Sequence, residues 1–283
     1  MTAILLAALS AFFFGAMTVL LRIALAGGAP PVLGSFLTIL PAAAVTGLAA
    51  LSRQQLDLAS AWPFVLAGLA APGMAQILFT FAVRDAGASR SSVTVGTAPL
   101  FAVAIALVFL DEPLVAGLVA GAACIVAGGI VLASDRSRPE HFKRIGIVYA
   151  LLCTLGFATR DSLIRWLGTE ASDVEPSLAA FVTMATATVV TLGFTLARSE
   201  AISWDGLRRF LPAGICYGLS YVLLFEAFYR GRVSVVSPIV ATESLWGVTL
   251  SWLVLRKSEL VGPRLFLGAA LVVAGGVLIG IYR

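Results

Sequence analysis

The feature that most limits what this chain can become is a passage that occurs twice. Phe79 to Phe101 and Phe225 to Trp246 each leave an apolar helix through an alanine, Ala82 or Ala227. Each then crosses a very short loop of Arg, Gly and Ser and enters a second apolar helix. Ala227 follows Ala82 by 145 residues, and the same offset lays Ser89 on Ser234, Ser92 on Ser237, Thr97 on Thr242 and Leu100 on Leu245. Further on, Gly121 to Leu132 reads GAACIVAGGIVL and Gly268 to Ile279 reads GAALVVAGGVLI, now at an offset of 147 residues. The second copy therefore carries a two-residue insertion, most simply in the loop Arg256 to Glu259. A chain repeated in this way builds its fold from two copies of one unit.

The unit belongs in a membrane. Of 283 residues, 60% are hydrophobic and 12% charged, with a mean hydropathy of +1.00, more apolar surface than a soluble domain of this size can hide. Ten segments reach spanning length, at Ala3–Leu25, Val32–Leu51, Pro63–Val83, Ser92–Leu110, Leu114–Ala133, Ile145–Leu167, Ser177–Ala197, Phe210–Tyr229, Val233–Leu255 and Gly262–Tyr282. They lack the alternation of barrel strands and are about twice as long. The expected fold is an all-α integral membrane bundle of ten helices. Residues 1–133 and 145–283 each hold one five-helix repeat, and 134–144 is a charged linker. The first segment is read as an uncleaved helix, because no Lys or Arg precedes it.

Most basic residues fall between apolar runs. They read as topology signals, and no nucleic-acid motif accompanies them. Thirteen of the 19 Lys and Arg lie on the side of the loops after spans one, three, five, seven and nine, which puts that side in the cytoplasm and both termini outside. Five spans per copy is an odd number, so the two copies enter the membrane from opposite sides as inverted repeats, the construction of alternating-access transporters.

Charges inside the spans need a reason, since one at a helix centre costs about 2.5–3.5 kcal/mol on insertion scales. Glu243 lies near the midplane and suits a proton-coupling carboxylate or the counter-charge of a cation; the plainer reading is a structural bond or a pair with Arg160. Asp161 and Arg165 are one helical turn apart and are expected to neutralise each other. That leaves Arg160 to pair with Glu243 or Glu226 across the bundle, or to bind a carboxylate. Glu226, near its helix end, can reach water or Arg230. Gln76 with Thr80, and Tyr217 with Tyr221, share helix faces, and Trp246 is expected on about the same side as Glu243. These polar and aromatic groups are candidate solute contacts, although aromatics in spans more often pack or anchor.

The last helix of each copy carries rows of small residues, Ala123 and Ala127 with Gly117 and Gly121, and Ala270 and Ala274 with Gly276 and Gly280. They predict close helix packing and no chemistry. The cysteines Cys124, Cys153 and Cys216 sit in apolar runs without metal-ligand or disulfide spacing, and the lone His141 stands in the linker. No HExxH, GxSxG or pair of central aspartates is present, so neither an enzyme nor a cofactor or metal is expected.

The chain resembles the drug/metabolite transporter superfamily, specifically its ten-helix proteins built from two EamA-type halves. The likeness is carried by Phe14-Gly15 and Leu155-Gly156, where the family often has Trp-Gly, by the repeated passages, and by the exits Leu110-Asp-Glu112 and Lys257-Ser-Glu259 before Gly-rich last helices. It implies a secondary transporter, an exporter of a small metabolite such as an amino acid, without ATP hydrolysis, in the bacterial inner membrane. The lipid bilayer is its surroundings and protons are the candidate coupling ion. It also implies helix-shaping roles for Gly15, Gly156 and Pro99. The family's Glu-Pro pair in the fourth helix is divided here, Ala98-Pro99 in one copy and Glu243-Ser244 in the other. Family expectation places the termini in the cytoplasm, against the charge count, and orientation stays open. The rival readings are a lipid-headgroup flippase on the same fold, an intramembrane enzyme and a structural membrane subunit.

Overall fold

The computed structural model describes residues 2–54, 57–98, 100–101, 116–133, 142–168, 174–231, 236, 239–255 and 262–282. Its ordered elements are α1 (Thr2–Leu25), α2 (Pro31–Ser52), α3 (Pro63–Gly68), a π turn (Leu69–Met74), α4 (Ala75–Ala86), α5 (Ala88–Val95), α6 (Ala116–Ala133), α7 (Ile145–Trp166), α8 (Pro176–Ala197), α9 (Trp204–Arg230), α10 (Glu243–Val254) and α11 (Pro263–Tyr282). All are helical, as the apolar runs require. Among the described residues six units are long and apolar enough to cross a membrane: α1, α2, Pro63–Ala86, α7 as far as Ile164, α8 and α9; α6 and α11 contain shorter apolar stretches. This is a multi-pass membrane protein.

Local sequence accounts for the helix limits. Proline opens α2, α3, α8 and α11, where its missing N–H costs nothing. Hydroxyls inside the spans turn back on their own helix, as Thr18 does to the Phe14 carbonyl (3.0 Å), Thr183 to Ala179 (2.8 Å) and Thr195 to Thr191 (2.8 Å). Lipid offers them no other partner.

Three expectations about the helices need correction. The third span is broken, because Pro72 follows Ala71, which adopts an extended φ of −149° within the π turn. The span expected from Phe210 begins two turns earlier at Trp204, where the Ser203 hydroxyl accepts from the Gly206 N–H (3.1 Å) and Asp205 lies in the first turn. The rows of small residues make the contact between the last helices through their glycines Gly117 and Gly121, not through all their alanines. Ala123, Ala270 and Ala274 are exposed, and α6 meets α11 through Gly121, Ile125 and Gly128 against Gly268, Val272, Gly275 and Ile279. A side chain at Gly121 would strike the Gly275 carbonyl, and one at Gly128 the Gly268 carbonyl, so the two helices run antiparallel. The expectations for Pro99, His141, most of the linker and the exits at 110–112 and 257–259 lie outside the described residues.

The contacts come in matched sets. α1 packs on α9 and on α10; correspondingly α7 packs on α4 and on α5. α2 packs on α9, and α8 on α3 with its π turn. The match reaches single residues: Gly218 lies against Val45 and Gly73 against Val190, and both members of the second pair are displaced from the first by the same 145 residues. Gly15 and Gly156 are used differently. Gly15 admits the base of Trp246 on α10, whereas Gly156 admits Ala75 on α4.

Candidate functional site

The helix passages that repeat in the sequence do so because each is interrupted at the same place. After α5, Thr97 donates its N–H to the carbonyl of Thr94 (3.1 Å) and its hydroxyl to the same oxygen (2.6 Å). Ahead of α10, Thr242 does the same to Ile239, at 3.0 and 2.6 Å. These three-residue bonds tighten the backbone and set the start of α10 at Glu243. A carboxylate at a helix N-terminus faces the positive end of the helix dipole.

Glu243 opens into a central cavity together with Ala98, Ser10, Phe14, Arg160, Asp161, Ser220 and Tyr221. Ser10 and Ser220 hold α1 to α9 by reciprocal bonds, each hydroxyl donating to the other's carbonyl at 2.9 and 3.0 Å. The Arg160 guanidinium is 4% exposed and fully engaged on one side. Its Nε and Nη2 donate to Asp161 Oδ1 at 2.9 and 2.6 Å, and its Nη1 to the Tyr221 hydroxyl at 2.5 Å. It also lies over the rings of Phe157 (4.7 Å) and Tyr221 (5.1 Å), a stacking that suits the flat, weakly hydrated guanidinium. The expectation that Arg160 lacks a local partner is thus overturned. The i,i+1 neighbours do not face each other on a helix, but the long arginine side chain turns back far enough to reach Asp161.

Glu243 is buried at 6% exposure and lies within electrostatic reach of Arg160 and Asp161. Among the described residues no side-chain hydrogen bond or ion pair joins it to either. The charges of Arg160 and Asp161 cancel, so an ionised Glu243 leaves the site with one negative charge to be balanced by a proton or by a cationic group. The cavity has about 40 Å³ of room for solvent, enough for a few waters at about 10–15 Å³ each. A second, wider recess of about 610 Å³ lies elsewhere, lined by Arg22, Gly28, Arg84, Asp85, Lys143 and Leu255.

The remaining candidates fall outside the central cavity. Glu226 pairs with Arg53 at 3.1 Å and with Arg230. Trp246 is exposed and meets Phe12 edge to face at 5.2 Å, because the missing side chain of Gly15 draws α1 against its base. Gln76, Thr80 and Tyr217 are fully buried. Thr80 accepts from Ser35 (2.9 Å) and donates to the Gln76 carbonyl (2.8 Å), whereas the Gln76 amide has no hydrogen-bond partner among the described residues. Sequence reasoning missed Ser10, Ser220 and Phe157. Only Phe157 left a signal, its place one turn before Arg160.

Three likenesses bear on what this arrangement does. A crystal structure covering 95% of this chain and 96% of its own superposes with a TM-score of 0.65 at 22% identity, which speaks for the fold alone. A protein of Streptantibioticus cattleyicolor named "probable terminal-alkyne amino-acid exporter" is 25% identical over 210 residues, 72% of this chain and 68% of that one. The sequence pattern of the EamA-like transporter family matches residues 1–134 and again 144–281. The chain therefore belongs to the EamA-like transporter family.

Proposed function

We propose that this protein is a secondary transporter of the bacterial inner membrane that exports a small metabolite, an amino acid or a related compound. In this reading ten spans form two inverted five-helix repeats, which alternate access to the central cavity. The observation that carries it is the cavity itself, where Arg160, Asp161 and Glu243 sit together in the interior of membrane helices. Charged groups so placed mark solute or ion pathways.

The inverted arrangement is supported by the antiparallel glycine contact. Gly121 meets Gly275 while Gly128 meets Gly268, and the sequence repeat equates 121 with 268 and 128 with 275. Equivalent residues that exchange partners across antiparallel helices are what a two-fold axis in the membrane plane produces. The solute class is supported by the exporter of S. cattleyicolor and by the chemistry of the cavity. A zwitterion brings an ammonium for Glu243 and a carboxylate that competes with Asp161 for the Arg160 fork. Glu243 is the proton-coupling group, since it alone of the three lacks a partner.

The test is counterflow and gradient-driven uptake of a radiolabelled amino-acid mixture in proteoliposomes. The parent accumulates label against its gradient when a proton gradient is imposed. Glu243→Gln keeps size and hydrogen bonding but cannot titrate, so it loses accumulation and keeps part of the downhill exchange. Accumulation equal to the parent's would remove Glu243 as the coupling group, and absence of counterflow by the parent would remove the amino-acid class.

A further inference from the structure

The sequence repeat that equates Ala82 with Ala227 also equates Ala75, Gln76 and Phe79 on α4 with Ser220, Tyr221 and Leu224 on α9. All six are buried, at 2%, 0% and 3% exposure on α9 and 2%, 0% and 0% on α4, and the two sets differ in what they border. Ser220, Tyr221 and Leu224 line the central cavity. Ala75, Gln76 and Phe79 are not in its lining and pack on neighbouring helices instead, with Ala75 against Gly156 and Phe79 against Phe14 and Phe157. Tyr221 spends its hydroxyl on Arg160. Its counterpart Gln76 spends nothing: both polar atoms of its amide are buried without a partner among the described residues.

An amide left in that condition is costly, and buried polar groups are nearly always satisfied. Leucine or methionine would fill the same space at no such cost, so packing in this state does not account for a glutamine. What accounts for it is a second state in which the amide is used. In a pair of inverted repeats that exchange conformations, a face packed away in one half is the face that the other half presents now.

We propose that Gln76 contacts the transported solute in the opposite-facing state, where the α4 face of Ala75, Gln76 and Phe79 borders the cavity as the α9 face does here. This rests on the transporter reading above and adds to it an uncharged recognition group contributed by the first half. The amide supplies two donors and an acceptor. It can therefore take either end of a zwitterion, its oxygen toward an ammonium or its nitrogen toward a carboxylate. Phe14 and Phe157, which line the cavity and also touch Phe79, are the partition that must shift for Gln76 to be reached.

The experiment places single thiols in full-length protein with Cys124, Cys153 and Cys216 replaced, comparing Gln76→Cys with Tyr221→Cys. A membrane-impermeant methanethiosulfonate is applied to right-side-out and to inside-out vesicles, with and without the amino-acid mixture. Position 221 is expected to react from one face and position 76 from the opposite face. Reaction of both from the same face, or of position 221 alone, overturns the proposal. If neither reacts from either face, the central cavity is not a pathway and the transporter reading itself fails. Gln76→Leu in the chain with its native cysteines gives an independent measure. It should melt no lower than the parent, because an unsatisfied amide is replaced by an apolar group, while counterflow falls about tenfold. Parent-like counterflow in that variant overturns the proposal as well.

Discussion

The two halves of the chain contribute unequally to the central cavity. From the first come Ser10, Phe14, Val95 and Ala98, none of them ionisable; from the second come Arg160, Asp161 and Glu243. Away from the cavity the halves treat their glycines alike, with Gly73 on Val190 matched by Gly218 on Val45. The equivalent of Glu243 is Ala98, by the same displacement of 145 residues. Duplication thus supplies a scaffold whose contacts must stay matched for the helices to pack. The chemistry of the cavity is free to differ, because one charged set suffices for a site that both copies enclose.

The most damaging way to disturb this asymmetry is to divide the charged pair. Arg160→Leu leaves Asp161 without its partner in the span, and breaking a buried pair costs about 3–5 kcal/mol. The expected result is a large fall in melting temperature in detergent. Arg160→Leu with Asp161→Leu should recover most of that stability while counterflow stays absent. A double variant as unstable as the single one would show that the pair does not act as a unit.

A smaller effect is expected from the matched part of the structure. Gly128→Val places a side chain against the Gly268 carbonyl, and overpacking of this kind costs about 1–3 kcal/mol. Gly275→Val, at the equivalent position, meets the Gly121 carbonyl and should cost a similar amount. A difference of several-fold between the two would mean that the scaffold is less matched than its glycines indicate. The least is expected at the end of α9, where Arg53 reaches Glu226 from a half-exposed position. Arg53→Gln should change stability by no more than about 1 kcal/mol, the ceiling for exposed pairs. A larger loss would bring Glu226 back into consideration as more than a helix-end partner.

Much of this was legible in the chain before its structure. The offset of 145 residues located the tightened turns, because Thr97 and Thr242 must make the same bond wherever the same passage folds. Glu243 was legible because a charge in the middle of a span needs a reason. The pairing of Arg160 was not, since helix spacing rules describe where side chains leave the backbone and not how far a guanidinium turns back. The small-residue rows were right in Gly117 and Gly121, which pack on α11, and wrong in Ala123, Ala270 and Ala274, which are exposed. A row four residues apart defines a face, but α6 and α11 each carry two such faces, and Gly121 and Gly128 choose between them by where the Gly275 and Gly268 carbonyls come to lie. The early start of α9 was hidden by its polar first turns, which a hydropathy criterion passes over.

The narrowness of the central cavity has a mechanical consequence. With about 40 Å³ of room for solvent, the cavity would have to widen to take the metabolite of the proposed function, so occupation of the site would be an act of expansion. Part of the free energy of binding is then spent as work against the close-packed interior of the protein and the lateral pressure of the surrounding lipid. If the proposed transport role holds, the thickness and tension of the membrane become participants in selectivity, favouring solutes that gain enough from the charged groups of the cavity to force the space open.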